Sequence, residues 1–162
     1  MAARTTLIAG LVAVALASPA LTKGGSWAPT AAEAEVLNVT GTFMAALNRG
    51  DADAAEALAS EGLTIQVLSF PASGGSSFRT LTRQQLFENF RKAPPRQFDE
   101  LLLEPRVEIT RDFAHVWAPY TLDINGKRIH CGIDSFGWMK INGAWKLTSF
   151  AWTADPQGCP PK

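Results

Sequence analysis

The sequence predicts a single α+β domain, with helices first and an antiparallel meander after them. Three observations carry this. Val36, Val39, Phe43 and Leu47 recur at three- and four-residue steps, the spacing of one face of a helix. Further along, Asn125-Gly126 and Asn142-Gly143 are two-residue hairpin signals between runs of strand-forming residues. Nothing in the 162 residues repeats or marks a second domain, and an apolar content of 46% is enough for one real core.

The first 20 residues read as an export leader. Arg4 is the charged start, and Leu7 to Ala17 is an unbroken apolar run. Such a run is too short to cross about 30 Å of hydrocarbon at about 1.5 Å per residue. Ala15-Leu16-Ala17 and Ser18-Pro19-Ala20 each offer a cleavage site. The expectation is a secreted or periplasmic protein, free of the membrane once the leader is cleaved; the alternative is an uncleaved anchor. Residues 21–32, with Lys23-Gly24-Gly25-Ser26 and Pro29, form a flexible lead-in, and the domain occupies 33–162.

Within the domain, Arg49-Gly50-Asp51 ends the first helix, with Gly50 suited to the position after the cap. Asp51 or Asp53 caps a short second helix. Leu63 to Phe70 is a strand, and Pro71 to Ser77 a Gly/Ser turn region. Thr82 and Gln85 fit a capping box for a helix carrying Leu86, Phe87 and Phe90, which Pro94-Pro95 ends. Strands then run over Arg106–Thr110, Phe113–Ile124, Lys127–Lys140 and Trp145–Thr153, with Pro119 marking an edge or a bulge.

A two-residue loop at Asn125-Gly126 pairs Thr121 with His130, Pro119 with Gly132, Trp117 with Asp134 and His115 with Phe136. That face mixes aromatic and ionisable groups. The other, with Val116, Ala118, Tyr120, Leu122, Ile129, Cys131 and Ile133, is apolar. His130 and Asp134 lie roughly 13 Å apart along the strand, too far for a hydrogen-bonded dyad. Gly132 between them leaves a gap that would serve as a pocket floor. The bland alternative is that both are structural, Asp134 accepting a hydrogen bond and His130 sitting satisfied in the core.

Charge and composition narrow the function. Fifteen basic residues balance 15 acidic ones, and losing Arg4 with the leader leaves 14 against 15. No basic run offers a footprint for nucleic acid. Cys131 and Cys159 either form a disulfide or stay as reduced, buried thiols, and their spacing makes a poor zinc site. Gly74-Gly75-Ser76-Ser77 reads as a loop rather than a phosphate cradle, and no metal-ligating cluster or cofactor motif stands out.

Phe43-Met44-Ala45-Ala46-Leu47-Asn48-Arg49-Gly50-Asp51 resembles the first-helix exit of nuclear transport factor 2-like proteins. His130-Cys131-Gly132-Ile133-Asp134-Ser135-Phe136, followed by Trp145-Lys146-Leu147, is similar to the late strands of the SnoaL-like and lumazine-binding-like branches. The resemblance spans about residues 33–159. It implies a cone-shaped, curled antiparallel sheet covered by the N-terminal helices, a cystatin-like roll whose concave face carries Asp134. It also implies that the apolar Val116/Ala118/Tyr120 face is the outer one, buried in a homodimer. Set against ketosteroid isomerase in that superfamily, Asp134 falls on the donor Asp. The donor Tyr falls on Phe43 and the base at about Val67, so that enzyme's proton abstraction is not expected here.

Three functions compete. The first is a binding module whose pocket, lined by Phe43, Val67, Trp117, Gly132, Phe136, Phe150 and Trp152, holds a small apolar or aromatic ligand oriented by His130 and Asp134. The second is an enzyme with Asp134 or His130 as catalytic acid or base. The third is a dimeric interaction module with a filled pocket.

Overall fold

The computed structural model describes residues 28–93 and 98–161. The leader and the Pro94-Pro95 helix stop lie outside the described residues. Helix α1 (Ala31–Asn48) starts at Thr30, whose side chain caps the Glu33 amide while the Glu33 carboxylate answers the Thr30 amide. It ends in a Schellman turn: Gly50, at φ 72°, donates to Leu47 O, and Asp51 donates to Ala46 O. Asp51 then caps the short α2 (Ala52–Ala57) through the Ala54 amide. Strand β1 (Ala59–Ser69) leads into β2 (Ser77–Thr82), and α3 (Arg83–Lys92) follows with the Thr82/Gln85 capping box formed in both directions.

The rest is strand: β3 (Phe98–Leu102), β4 (Arg106–Thr110), β5 (Phe113–Ile124), β6 (Lys127–Ile141) and β7 (Ala144–Ala154). The sheet order is β2-β1-β7-β6-β5-β3, with β4 also on β5. Among the described strands, only the β1–β7 pairing is parallel. Beyond the expected meander, the structure adds β2 and β3, two short strands at the sheet's edges. The outer edge of β5 is shared: β4 pairs with Phe113 to Trp117 and β3 with Tyr120 to Ile124. Pro119 sits in the seam. Its carbonyl points to that edge, accepting from the Leu103 amide, so its missing N–H breaks no central ladder.

One residue corrects the expected faces. Both hairpin turns form as expected, with Asn125, Gly126, Asn142 and Gly143 all at positive φ. Asp123 pairs with Arg128, but the next pair is Leu122 with His130, leaving Ile129 as a bulge. From there every partner is displaced by one, so Asp134 opposes Ala118 rather than Trp117, and Phe136 opposes Val116 rather than His115. Because side chains alternate, the shift exchanges the faces of β5. Val116, Ala118 and Tyr120 face the helices and are buried, while Trp117 is 47% exposed on the other side.

The core lies between α1 and the sheet. Phe43 is fully buried and meets Phe136, Trp138 and Phe150 edge-on at ring separations of 6.3, 6.4 and 5.7 Å. Phe136 and Phe150 stack on each other at 4.9 Å. The structure joins Cys131 to Cys159 in a disulfide. Beside it, Cys131 and Asp155 exchange backbone hydrogen bonds of 3.0 and 2.8 Å.

Candidate functional site

The site begins at the end of α1. Asn48 accepts from the Glu100 amide at 2.9 Å and donates to the Glu100 carbonyl at 3.0 Å. A side-chain amide thus does what a neighbouring strand would do for β3, leaving the Glu100 side chain on the inner face with Phe98 and Leu102. Asn48→Ala should therefore cost about 2 kcal/mol in denaturant unfolding, for two lost hydrogen bonds and two orphaned backbone groups. A loss below about 0.5 kcal/mol would mean the clamp holds nothing.

Glu100 and Asp134 come together although they are distant in sequence. Burial and the Glu100 charge, together with a hydrogen bond between the two carboxyls, hold Asp134 well above the usual carboxylate range. Burial also raises Glu100 to about 7, while its bond to Asp134 pulls the other way. The two carboxyls therefore titrate as a pair that keeps a shared proton above the usual carboxylate range. Asp134 is 1% exposed, and its Oδ2 has no hydrogen-bond partner among the described residues.

Next to this pair stands Tyr120, in the row between Leu102 and Gly132. Its hydroxyl lies 2.7 Å from the Thr153 carbonyl and 3.0 Å from His130 Nδ1. Burial first, then the nearby Asp134 and Glu100 charges, push the phenol upward, so it stays protonated. Burial pushes the His130 ring downward, favouring the neutral imidazole. Gly132 is not a gap. A Cβ there would stand 2.0 Å from the Thr153 carbonyl oxygen, so glycine is what allows that carbonyl to come in and meet Tyr120.

Over these groups lies a cavity of about 300 Å³ between α3, β2, β3 and the inner face of β5–β7. Phe90, Phe98, Phe150 and Trp152 wall it, Glu100 and His130 supply the polar corner, and Arg79 stands at the rim. Phe90 and Phe98 meet edge-on at 5.8 Å, and Trp152 packs on Phe150 at 4.9 Å.

Of the residues expected in the pocket, His130, Phe150 and Trp152 line it. Asp134 is buried and does not line the cavity. Phe43 and Phe136 are fully buried and form the core beneath it. Val67 is buried in the row that pairs it with Trp152, and Trp152 with Asp134. Trp117 is on the opposite face, for the register reason given above. Sequence reasoning missed Glu100 and Arg79, both on the short edge strands. The alternation of Phe98, Glu100 and Leu102 was the available signal for the first. Among the described residues, no group of three or more His, Cys, Asp or Glu side chains is placed to hold a metal ion.

A sheet curled over a polar-cornered cavity and closed by N-terminal helices defines the nuclear transport factor 2-like class. The sequence model of the calcium/calmodulin-dependent protein kinase II association domain matches residues 32–156. The chain belongs to that family. Among solved structures it is similar to a protein of unknown function with a cystatin-like fold from Nostoc punctiforme: 18% identity, TM-score 0.61, covering 79% of this chain and 95% of that one. A nuclear transport factor 2-like protein of unknown function from Shewanella baltica gives 16% identity and a TM-score of 0.57 over 83% of this chain and all of that one. The association domain of the Caenorhabditis elegans kinase gives 20% identity and a TM-score of 0.57, over 75% of this chain and 95% of that one. At these identities the likeness speaks for the fold. No curated protein matches the sequence significantly.

Proposed function

We propose that this chain is an exported binding domain that holds a small, largely aromatic ligand in the cavity, with His130 and Glu100 orienting its polar group. The single observation that carries this is the cavity itself. It is about 300 Å³, the lower end of the range for small-molecule sites, with aromatic walls and polar groups converging at one corner. Export rests on the leader pattern, and the disulfide fits an oxidising compartment.

The domain is further proposed to form a homodimer through the outer face of its sheet. That face presents Phe78 at 64% and Trp117 at 47% exposure, with Ile133 between strands and a shallow groove beside them. Membership in an association-domain family supports self-association.

Native mass spectrometry of protein made in its own host tests all three parts through mature mass, subunit count and retained ligand. A retained aromatic compound is expected; Trp152→Ala should then weaken it by roughly tenfold or more, through lost stacking area. A monomer would remove the dimer. Chains that carry nothing, with fluorescence unmoved by a panel of small aromatics, would remove the binding reading.

A second reading is favoured by the Glu100–Asp134 pair. A carboxyl titrating at about 7 beside a protonated partner suits general acid–base catalysis. Under that reading Asp134 and His130 keep the roles of acid or base, and Glu100→Gln abolishes turnover, whereas the binding reading expects only weaker ligand retention from it.

A further inference from the structure

The Tyr120 hydroxyl has one proton and two neighbours. The Thr153 carbonyl, at 2.7 Å, can only accept. The tyrosine proton therefore goes to Thr153, and the hydroxyl oxygen is left to accept from His130 Nδ1 at 3.0 Å. Nδ1 must then carry the imidazole proton, and in a neutral ring Nε2 is a bare lone pair. Nε2 lies across the ring from Tyr120. The ring lines the cavity, and among the described residues no hydrogen bond engages that nitrogen.

We propose that Tyr120 and the Thr153 carbonyl are positioning groups that lock His130 as the Nδ1–H tautomer, making Nε2 a fixed acceptor for an aromatic ligand bearing a hydroxyl or N–H donor. This rests on the cavity being a ligand site. It adds the ligand's chemical class: phenols and arylamines rather than aromatic ethers, ketones or carboxylates. Glu100 agrees with that class. It is two strands from His130 in the same row, with Leu122 between them, and it presents a second acceptor once ionised. An anionic ligand would meet that carboxylate. The arrangement also assigns Gly132 a part, since only a glycine lets the Thr153 carbonyl reach Tyr120.

The experiment uses the full mature chain and two probes of nearly equal shape, 2-naphthol and 2-methoxynaphthalene. Imidazole nitrogen NMR above pH 7.5 reads the tautomer directly. His115 and His130 are the only two histidines, so His130→Asn assigns the signals. The proton is expected on Nδ1 of His130 in the native chain and to move largely to Nε2 in Tyr120→Phe. Native protein should bind 2-naphthol at least about fivefold tighter than its methyl ether, the worth of one neutral hydrogen bond. In Tyr120→Phe the ratio should fall to about twofold or less. His130→Asn should lose it as well, because an asparagine amide can replace Nδ1 toward Tyr120 but offers nothing where Nε2 stood. That second variant keeps the test sharp if the buried tyrosine cannot be changed without unfolding.

A proton found on Nε2 in the native chain overturns the proposal. So does equal binding of the two probes, or a ratio that survives in the variants, and in either case the binding reading stands. Binding of neither probe counts against the cavity as a ligand site and takes the proposal with it.

Discussion

Phe43→Ala is expected to cost the fold about 3–5 kcal/mol, the usual range for deleting a fully buried aromatic ring. The ring is 0% exposed and wedged edge-on against Phe136, Trp138 and Phe150, so one truncation unsupports three rings on two strands. The surrounding groups belong to a sheet and a helix whose backbones are fixed by their own hydrogen bonds, which limits collapse into the void. Denaturant unfolding should show a lower midpoint with an unchanged slope. Phe43→Leu should recover roughly half of the loss. A cost under about 2 kcal/mol would mean that the aromatic cluster repacks and that Phe43 is not its keystone. Phe150 is also a wall of the cavity, so the same variant should loosen any bound aromatic compound.

The second large effect is a pH dependence carried by Glu100. Its folded pKa of about 7 stands above the ordinary value of 4.5, so the folded state keeps a proton that the unfolded chain has released. The stability this group contributes is therefore fully present below about pH 4.5 and is lost as pH rises through about 7. A gap of that size corresponds to roughly 2–3 kcal/mol after allowing for the partial exposure of the side chain. His130 works in the opposite sense, because burial depresses it and the unfolded chain takes up its proton first. The clean measurement is thus a difference. Glu100→Gln, a neutral match for the protonated acid, should equal the native chain near pH 4.5 and exceed its stability by about 2–3 kcal/mol at pH 8. Parallel stability curves for the two proteins across that range would contradict the shared-proton pair.

The class of fold was legible because its signals are local. The Thr82/Gln85 box, Gly50 and the two Asn-Gly turns each act over a few residues, and each does in the structure what its chemistry predicts. The inner face of β6 was legible too, since His130, Asp134 and Phe136 keep a period of two. What escaped was set by distant partners. The alternation of Phe98, Glu100 and Leu102 hints that Glu100 turns inward, but the pairing that makes it do so is supplied by Asn48, 52 residues earlier, and by β5. Ile129 sits in an unremarkable strand sequence, yet as a bulge it exchanged Trp117 for Tyr120 on the inner face. The tyrosine so gained is the residue that orients His130, and the glycine read as an opening proved to be a point of closest approach.

The divided edge of β5 has a consequence for how copies of this chain can meet. An exposed sheet edge is a template for another strand, and a long one invites end-on growth into fibres. Here that edge is two five-residue strands with a proline at their seam, and the opposite edge is the six-residue β2. Neither rim offers a long, straight ladder for a neighbour to extend. Lateral polymerisation by strand addition is disfavoured at both rims, so any contact between copies falls to side-chain surfaces instead.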